Sequence, residues 1–252
     1  YHANFLSIGQ GDSVLVTFKG GVQMLIDSGP RNLILDELAK AMPKNDRYID
    51  VIVMTHPELD HIGGLQFVID NYEIGVILWN GRGNVSDAWL ELENKIKEKN
   101  IEVIWIAEGD KLKIGDSKID ILTPSLKHFG SAALNDSAIS LRINNSEFSI
   151  FLGSDISSKI ELELSEKYDL DSDVLKISHH GSRYSSDNVF LKDVSPLVAI
   201  IETGKNNYGH PHKEAIDRIK ENGAKIYRTD LNGQIMISKN QKLNKLEITF
   251  VK

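Results

Sequence analysis

The sequence predicts an α/β protein made of two halves, each a sheet with helices on one face. Three observations predict it. Strand-sized apolar runs alternate with helix-periodic segments from residue 3 to residue 106. Between Lys111 and Phe151 the apolar runs shorten and alternate, as in an antiparallel sheet. From Ile156 onward the β/α alternation resumes. Two such halves in one chain predict two sheets packed face to face with helices outside. No long Pro/Gly/Ser linker, charge block or low-complexity stretch divides them, so residues 1–252 read as a single domain.

Ala3 to Ile8, Ser13 to Phe18 and Val22 to Ile26 read as strands because Gly9-Gln-Gly-Asp12 and Gly20-Gly21 supply turn signals between them. Asn32 to Met42 has apolar residues at 33, 34, 35, 38, 39 and 42, a helical spacing that Pro43 ends. Val51 to Met54 is a strand, Ile62 to Tyr72 a helix and Val76 to Trp79 a strand. Ser86 to Lys99 is an amphipathic helix with Trp89, Leu90 and Ile96 inside, and Glu102 to Ile106 a strand. Ile156 to Tyr168, Val174 to Ile177, Val198 to Ile201, Glu214 to Asn222 and Lys225 to Arg228 continue the pattern. Trp79, Trp89 and Trp105 fall at core-like positions; they, His2 and His128 are assigned to packing or surface.

With 252 residues, 41% hydrophobic and 26% charged, the chain can bury a full core. Its longest apolar runs, Val51 to Met54 and Leu197 to Ile201, fall far below the roughly 20 residues that cross a bilayer. The first residues lack the basic and long apolar regions of a secretory signal. They look like a first strand, and the chain reads as cut from a longer one. Zero cysteines leave any metal to His, Asp and Glu, and fit either side of the membrane. A net charge of -7 argues against general attraction to nucleic acid, though not against a local basic cleft.

Chemistry concentrates in Thr55-His-Pro-Glu-Leu-Asp-His-Ile-Gly-Gly64, between a buried strand and a helix. Imidazole and carboxylate bind zinc and similar ions where thiolates are absent. A His-Pro turn and an Asp helix cap explain the same letters. Three further clusters shift the balance, because each sets ligand-capable side chains directly after an apolar strand. They are Leu25-Ile-Asp27-Ser-Gly29, Phe151-Leu-Gly-Ser-Asp155 and Ile177-Ser-His179-His180-Gly-Ser182. Strand ends are where loops of an α/β sheet meet.

Together with Phe5-Leu-Ser-Ile-Gly-Gln-Gly-Asp12-Ser13, Asn135-Asp-Ser137 and Gly209-His-Pro-His212, these segments resemble the metallo-β-lactamase superfamily. Within it they resemble the hydrolase domain of the ComEC/Rec2 competence proteins, in the family's order along nearly the whole chain. The resemblance implies a four-layer αβ/βα sandwich with a metal centre at one edge. It implies that His56 and Glu58 serve a first metal, Asp60 and His61 a second, that Asp155 bridges, and that His180 completes the second. Asp27 then orders the motif loop by hydrogen bonding.

Position 58 holds Glu where the superfamily most often has histidine and the competence group commonly has Asp, so Glu58 is either an oxygen ligand or turned to solvent. No match stands for the further histidine that many members supply before Asp155. One or two divalent ions, zinc or manganese, are therefore expected. Either of His179 and His180 can be the ligand, and the family motif favours His180. His179 is then a substrate contact or packs. His210 is a phosphate contact or a proton donor, or belongs with His212 to a turn and cap. Asn135, Ser137 and Ser182 are candidate substrate contacts that can equally serve as turn caps. Gly9 to Asp12 precedes a strand, so it is a tight turn holding Asp12 rather than a phosphate loop.

The expected activity is metal-assisted hydrolysis, with Asp60 and Asp155 at its centre and His179 and His210 beside the reacting group. A phosphodiester, with single-stranded DNA in first place, is the expected substrate. A small ester or phosphodiester, and a catalytically silent binding domain, are the alternatives. The resemblance places the domain outside the cytoplasm if it belongs to a competence membrane protein, and in the cytosol if free-standing.

Overall fold

The computed structural model describes residues 1–131 and 133–251. The first half runs β1 (His2–Phe5), β2 (Val14–Thr17), β3 (Gln23–Ile26), α1 (Leu33–Ala41), β4 (Tyr48–Met54), α2 (Leu59–Ile62), α3 (Leu65–Asn71), β5 (Glu73–Trp79), α4 (Asp87–Glu98) and β6 (Glu102–Trp105). The second runs β7 (Lys111–Ile114), β8 (Ser117–Ile121), β9 (Leu141–Asn144), β10 (Ile150–Leu152), α5 (Ser158–Lys167), β11 (Val174–Lys176), α6 (Asn188–Val194), β12 (Val198–Ile201), α7 (Lys213–Glu221) and β13 (Lys225–Arg228). The short α8 (Thr229–Asn232) then leads to β14 (Gln234–Asn240) and β15 (Lys245–Val251). Among the described residues no helix is long and apolar enough to cross a membrane.

The strands form two sheets, of order β15-β14-β1-β2-β3-β4-β5-β6 and β13-β12-β11-β10-β9-β8-β7. Each is half antiparallel and half parallel: β3 to β6 run parallel in one, β10 to β13 in the other. Strand periodicity explains the layers, since successive side chains point to opposite faces. In β2, Val14 and Val16 enter the core between the sheets while Leu15 turns to the helices. In β4, Val53 faces inward and Ile52 and Met54 face outward. One outer core packs α1, α3 and α4 on the first sheet, and the other packs α5, α6 and α7 on the second. The result is the four-layer αβ/βα sandwich expected.

Several elements differ from the sequence reading. Residues 62–72 are not one helix: α2 begins inside the motif, and α3 follows after Gly63-Gly64. The hairpin β14-β15 and helix α6 are additional to the elements read from sequence. Trp105 is 74% exposed although its spacing matched a core position, because β6 is the edge strand and has no neighbour beyond it.

Candidate metal centre

Parallel strands bring the ligand loops to one place. β3 and β4 end side by side and deliver Asp27 and His56; β10 and β11 end side by side and deliver Asp155, His179 and His180. The backbone there is bent into the left-handed region at Asp27 (φ 56°), Ser154 (φ 48°), His179 (φ 50°) and His180 (φ 52°). Non-glycine residues rarely adopt it, and such strain gathers at functional sites.

His56, His61, Asp155 and His180 are all buried, at 2% exposure or less. The outward nitrogens of two rings are tied. His61 Nδ1 lies 2.7 Å from Asp27 Oδ2, and His180 Nδ1 donates to the Glu202 carbonyl at 3.0 Å. Their Nε2 atoms, with His56 Nε2 and Asp155 Oδ1, are buried without a hydrogen-bond partner. Leaving four such atoms unpaired is costly, and their chemistry fits a shared cation.

The ligand atoms of His56, His61 and Asp155 lie within 4.8 Å of one another, and so do those of Asp60, His61 and His180. The two sets share His61 and adjoin through Asp155, whose Oδ1 is 3.5 Å from His61 Nε2 and whose Oδ2 is 3.6 Å from His180 Nε2. Asp60 Oδ2 is 3.4 Å from His180 Nε2, and Glu58 Oε2 is 3.8 Å from His56 Nε2. The donor set of nitrogen and oxygen atoms without sulfur fits zinc or manganese.

Charge in the cluster points the same way. Burial pushes His61 and His180 down, but carboxylates overturn it: Asp155 and Asp27 raise His61 well above its ordinary value, and Asp155 and Asp12 carry His180 up to about 10. Burial resists ionisation of Asp155 and Asp60, yet the neighbouring imidazoles hold both below the usual carboxylate range. The site attracts positive charge.

Of the paired histidines, His180 is inside the cluster and His179 is about a third exposed, with Nε2 3.8 Å from Asp155 Oδ2. Above the cluster opens a cleft of 290 Å³ lined by residues including Glu58, Asp60, His179 and His210. The His179 and His210 rings meet edge to face at 5.3 Å. Burial, then the nearby His179 and His180, lowers His210 to about 4. Its loop is clamped by Asn206, which accepts from the Tyr208 and His210 backbones and donates to the Gly204 and His210 carbonyls. His212 accepts from the Arg183 backbone at 3.3 Å and caps no helix with its side chain.

Asn135 and Ser182 stand outside the cleft lining. Asn135 sits in a short 3-10 turn whose carbonyl receives Ala138 N–H, and the Ser182 hydroxyl accepts from the Tyr184 backbone at 3.3 Å. Ser137 is bound by Arg82 and by its own turn.

The structure adds residues to which the motif reading gave no role in the site. Tyr208, 71% exposed, stacks on His210 at the cleft mouth, and Gln10, Pro30 and Leu59 line its other parts. Beneath the ligands, Asp12 pairs with the buried Lys176, and Asp12 Oδ1 is 3.2 Å from His180 Nδ1. A lysine inside the apolar run Val174 to Ile177 was the visible signal. The turn that carries Asp12 packs on the motif: Asp12 N–H donates to the Asp60 carbonyl at 3.3 Å, and a Cβ at Gly11 would collide with that carbonyl.

Residues 23–178 match the beta-lactamase superfamily domain model. The chain is 28% identical over 253 residues to ComE operon protein 3 of Bacillus subtilis (strain 168), covering 92% of this chain and 32% of that protein. It is 28% identical over 228 residues to competence protein ComA of Neisseria gonorrhoeae, covering 85% of this chain and 30% of that one. It thus spans about a third of the length of these relatives. Among solved structures, the metallo-beta-lactamase fold protein YhfI of Bacillus subtilis superposes with a TM-score of 0.62 at 14% identity, over 93% of this chain and 99% of that one. The two-sheet sandwich and the family match together place this chain, with its cluster of buried His and Asp side chains, in the metallo-β-lactamase superfamily.

Proposed function

We propose that the domain is a metal-dependent hydrolase of phosphodiesters, with single-stranded DNA as the substrate of first choice. The observation that carries the hydrolase reading is the convergence of three buried, unpartnered imidazole nitrogens with Asp155. His56, His61, Asp60, Asp155 and His180, with Glu58 at the rim, would hold a divalent ion, and the chemistry such an ion would supply is a water activated to a pKa of roughly 7. Asp155 lies between the two ligand sets and orients what binds there. His179 and His210 line the cleft beside it. A pKa of about 4 keeps His210 neutral at pH 7, so it serves as a hydrogen-bond donor to a phosphoryl oxygen rather than as an imidazolium acid.

Similarity to the competence proteins over most of the chain supports DNA. The cleft's own carboxylates, Glu58, Asp60 and Asp155, do not attract a polyanion, and bound cations are what would invert that sign. The small cleft favours a second reading, a small phosphodiester or ester, since 290 Å³ is near the lower end for small-molecule sites, which run from about 300 Å³ upward.

The test is to strip the protein with chelator, restore manganese or zinc, and assay linear and circular single-stranded DNA beside small phosphodiesters and esters. DNA cleavage that returns with the ion is expected. Turnover of small diesters alone favours the second reading. Tight metal binding without hydrolysis of any of them would leave a silent binding domain and end the hydrolase reading.

A further inference from the structure

Strand β11 carries a lysine on a face where a buried strand carries apolar residues. Lys176 is 1% exposed, and among the described residues it is the only lysine or arginine that is buried. Its ammonium pairs with the Asp12 carboxylate and lies 3.5 Å from the Ser154 carbonyl. Taking an ammonium out of water is expensive and is offset only by well-placed opposite charge.

That opposite charge is abundant. Asp12, Asp27, Asp155 and Glu202 are all 4% exposed or less. Asp12, Asp27, Ser154, Lys176 and Glu202 border one small cavity beside the His61 and His180 contacts of Asp12 and Asp27. Asp12 and then Asp155 act on the Lys176 charge, whereas burial and the Asp12 carboxylate push the Glu202 carboxyl well above the usual carboxylate range, toward its neutral form. Buried carboxylates so close together repel one another, and beside the His61 and His180 imidazoles Lys176 is the one buried lysine or arginine that offsets them among the described residues.

We propose that Lys176 is the standing counter-charge of the metal centre, a positioning residue that holds Asp12 and keeps the carboxylate-rich ligand set assembled before any divalent ion arrives. The proposal rests on the metal-centre reading above. It has a consequence with a definite sign. A cation fixed below the site does in the metal-free protein part of what the metal does in the loaded one, and it repels the incoming ion. Without Lys176 the metal-free form loses part of its counter-charge, while the loaded form recovers positive charge from the ion. The stabilisation brought by metal therefore increases. A lysine that only fills space leaves that difference unchanged.

The experiment measures Tm for wild type, Lys176→Met and Lys176→Met/Asp12→Asn, each chelator-treated and each saturated with Mn²⁺. Lys176→Met is expected to lower the chelator-treated Tm by on the order of 10 °C, and to enlarge the Mn²⁺-induced rise by several degrees over wild type. The double variant removes both charges, so it is expected to regain most of the lost Tm and to show a wild-type-sized rise. Equal losses with and without Mn²⁺ in Lys176→Met overturn the proposal. If that variant does not fold in either condition, the double variant decides: a folded protein with a wild-type-sized rise supports it, and a double variant no better folded than the single refutes it. A wild type unmoved by Mn²⁺ or Zn²⁺ instead removes the metal-centre reading, and the Lys176 proposal with it.

Discussion

Asp27 Oδ2 lies 2.7 Å from His61 Nδ1, a separation that a carboxylate keeps only by accepting that nitrogen's proton. The same carboxylate accepts from the Thr55 backbone at 2.9 Å and the Thr55 hydroxyl at 2.6 Å, so it cannot turn away. His61 thereby keeps a proton on Nδ1, which leaves Nε2 as the nitrogen turned to the centre. Replacing Asp27 by Asn removes the anion and permits the other tautomer. Metal affinity, measured by calorimetric titration, is expected to fall about 10- to 100-fold, with circular dichroism unchanged. Wild-type affinity in Asp27→Asn would show that packing alone orients the ring.

Asp60 is placed to contribute chemistry with little stability. It lies in α2 at the cleft, its side chain 28% exposed, and it belongs to no core cluster. Asp60→Ala is expected to abolish hydrolysis while changing Tm by no more than a few degrees. Full activity in this variant removes Asp60 from the site.

Metal preference tests Glu58. With Glu58 bound, the protein offers His56, His61 and His180 against Glu58, Asp60 and Asp155, a set rich in hard oxygen that suits manganese better than a nitrogen-rich set does. Zinc still binds more tightly by general affinity order. Chelator-stripped wild type is expected to regain more phosphodiesterase activity with Mn²⁺ than with Zn²⁺, and Glu58→His to shift the ratio toward Zn²⁺. An identical ratio in the two proteins rules Glu58 out as a ligand.

Glu161, away from the ligand cluster, gives a pH signature. It is fully buried in α5, where it accepts from the Ser186 and Asp187 backbones, and burial raises its pKa from 4.5 to about 7. The folded state thus favours the protonated acid. Its contribution to stability is complete below the ordinary value and is lost as pH rises through about 7, up to about 3 kcal/mol for a shift of this size. Glu161→Gln keeps the neutral shape and does not titrate. Chemical denaturation between pH 4 and 8 is expected to show wild type losing stability relative to Glu161→Gln across that window. Parallel curves would mean that Glu161 has the same pKa folded and unfolded.

Most of the fold was legible in the sequence because strand and helix periods are local. The alternation of Val14, Leu15 and Val16 between two faces, the helical spacing of Asn32 to Met42 and the Gly-rich turns all report neighbours a few residues away. The hairpin Gln234–Asn240 with Lys245–Val251 escaped because its outer strand is exposed or half-exposed at every position, and only pairing of the inner strand with β1 makes it part of a sheet. Trp105 escaped for the complementary reason: its spacing suits a core, and only the strand order makes it an edge.

The sequence by itself determined the chemistry that is available: a cysteine-free chain with ligand-capable side chains directly after apolar strands. Only the tertiary structure decided which of those side chains meet. His61, Asp155 and His180 are far apart in the chain, and their convergence depends on two sheets packing with their parallel strand ends at one edge. The same packing separates His180, buried among carboxylates, from its neighbour His179, which opens to the cleft, because left-handed backbone at both residues sends adjacent rings in different directions. It also sets Lys176 beneath the ligands, opposite Asp12 from the far end of the chain's first hairpin. Side-chain identity is written locally, whereas burial and charge pairing are properties of surfaces brought together by folding, and no spacing rule carries them.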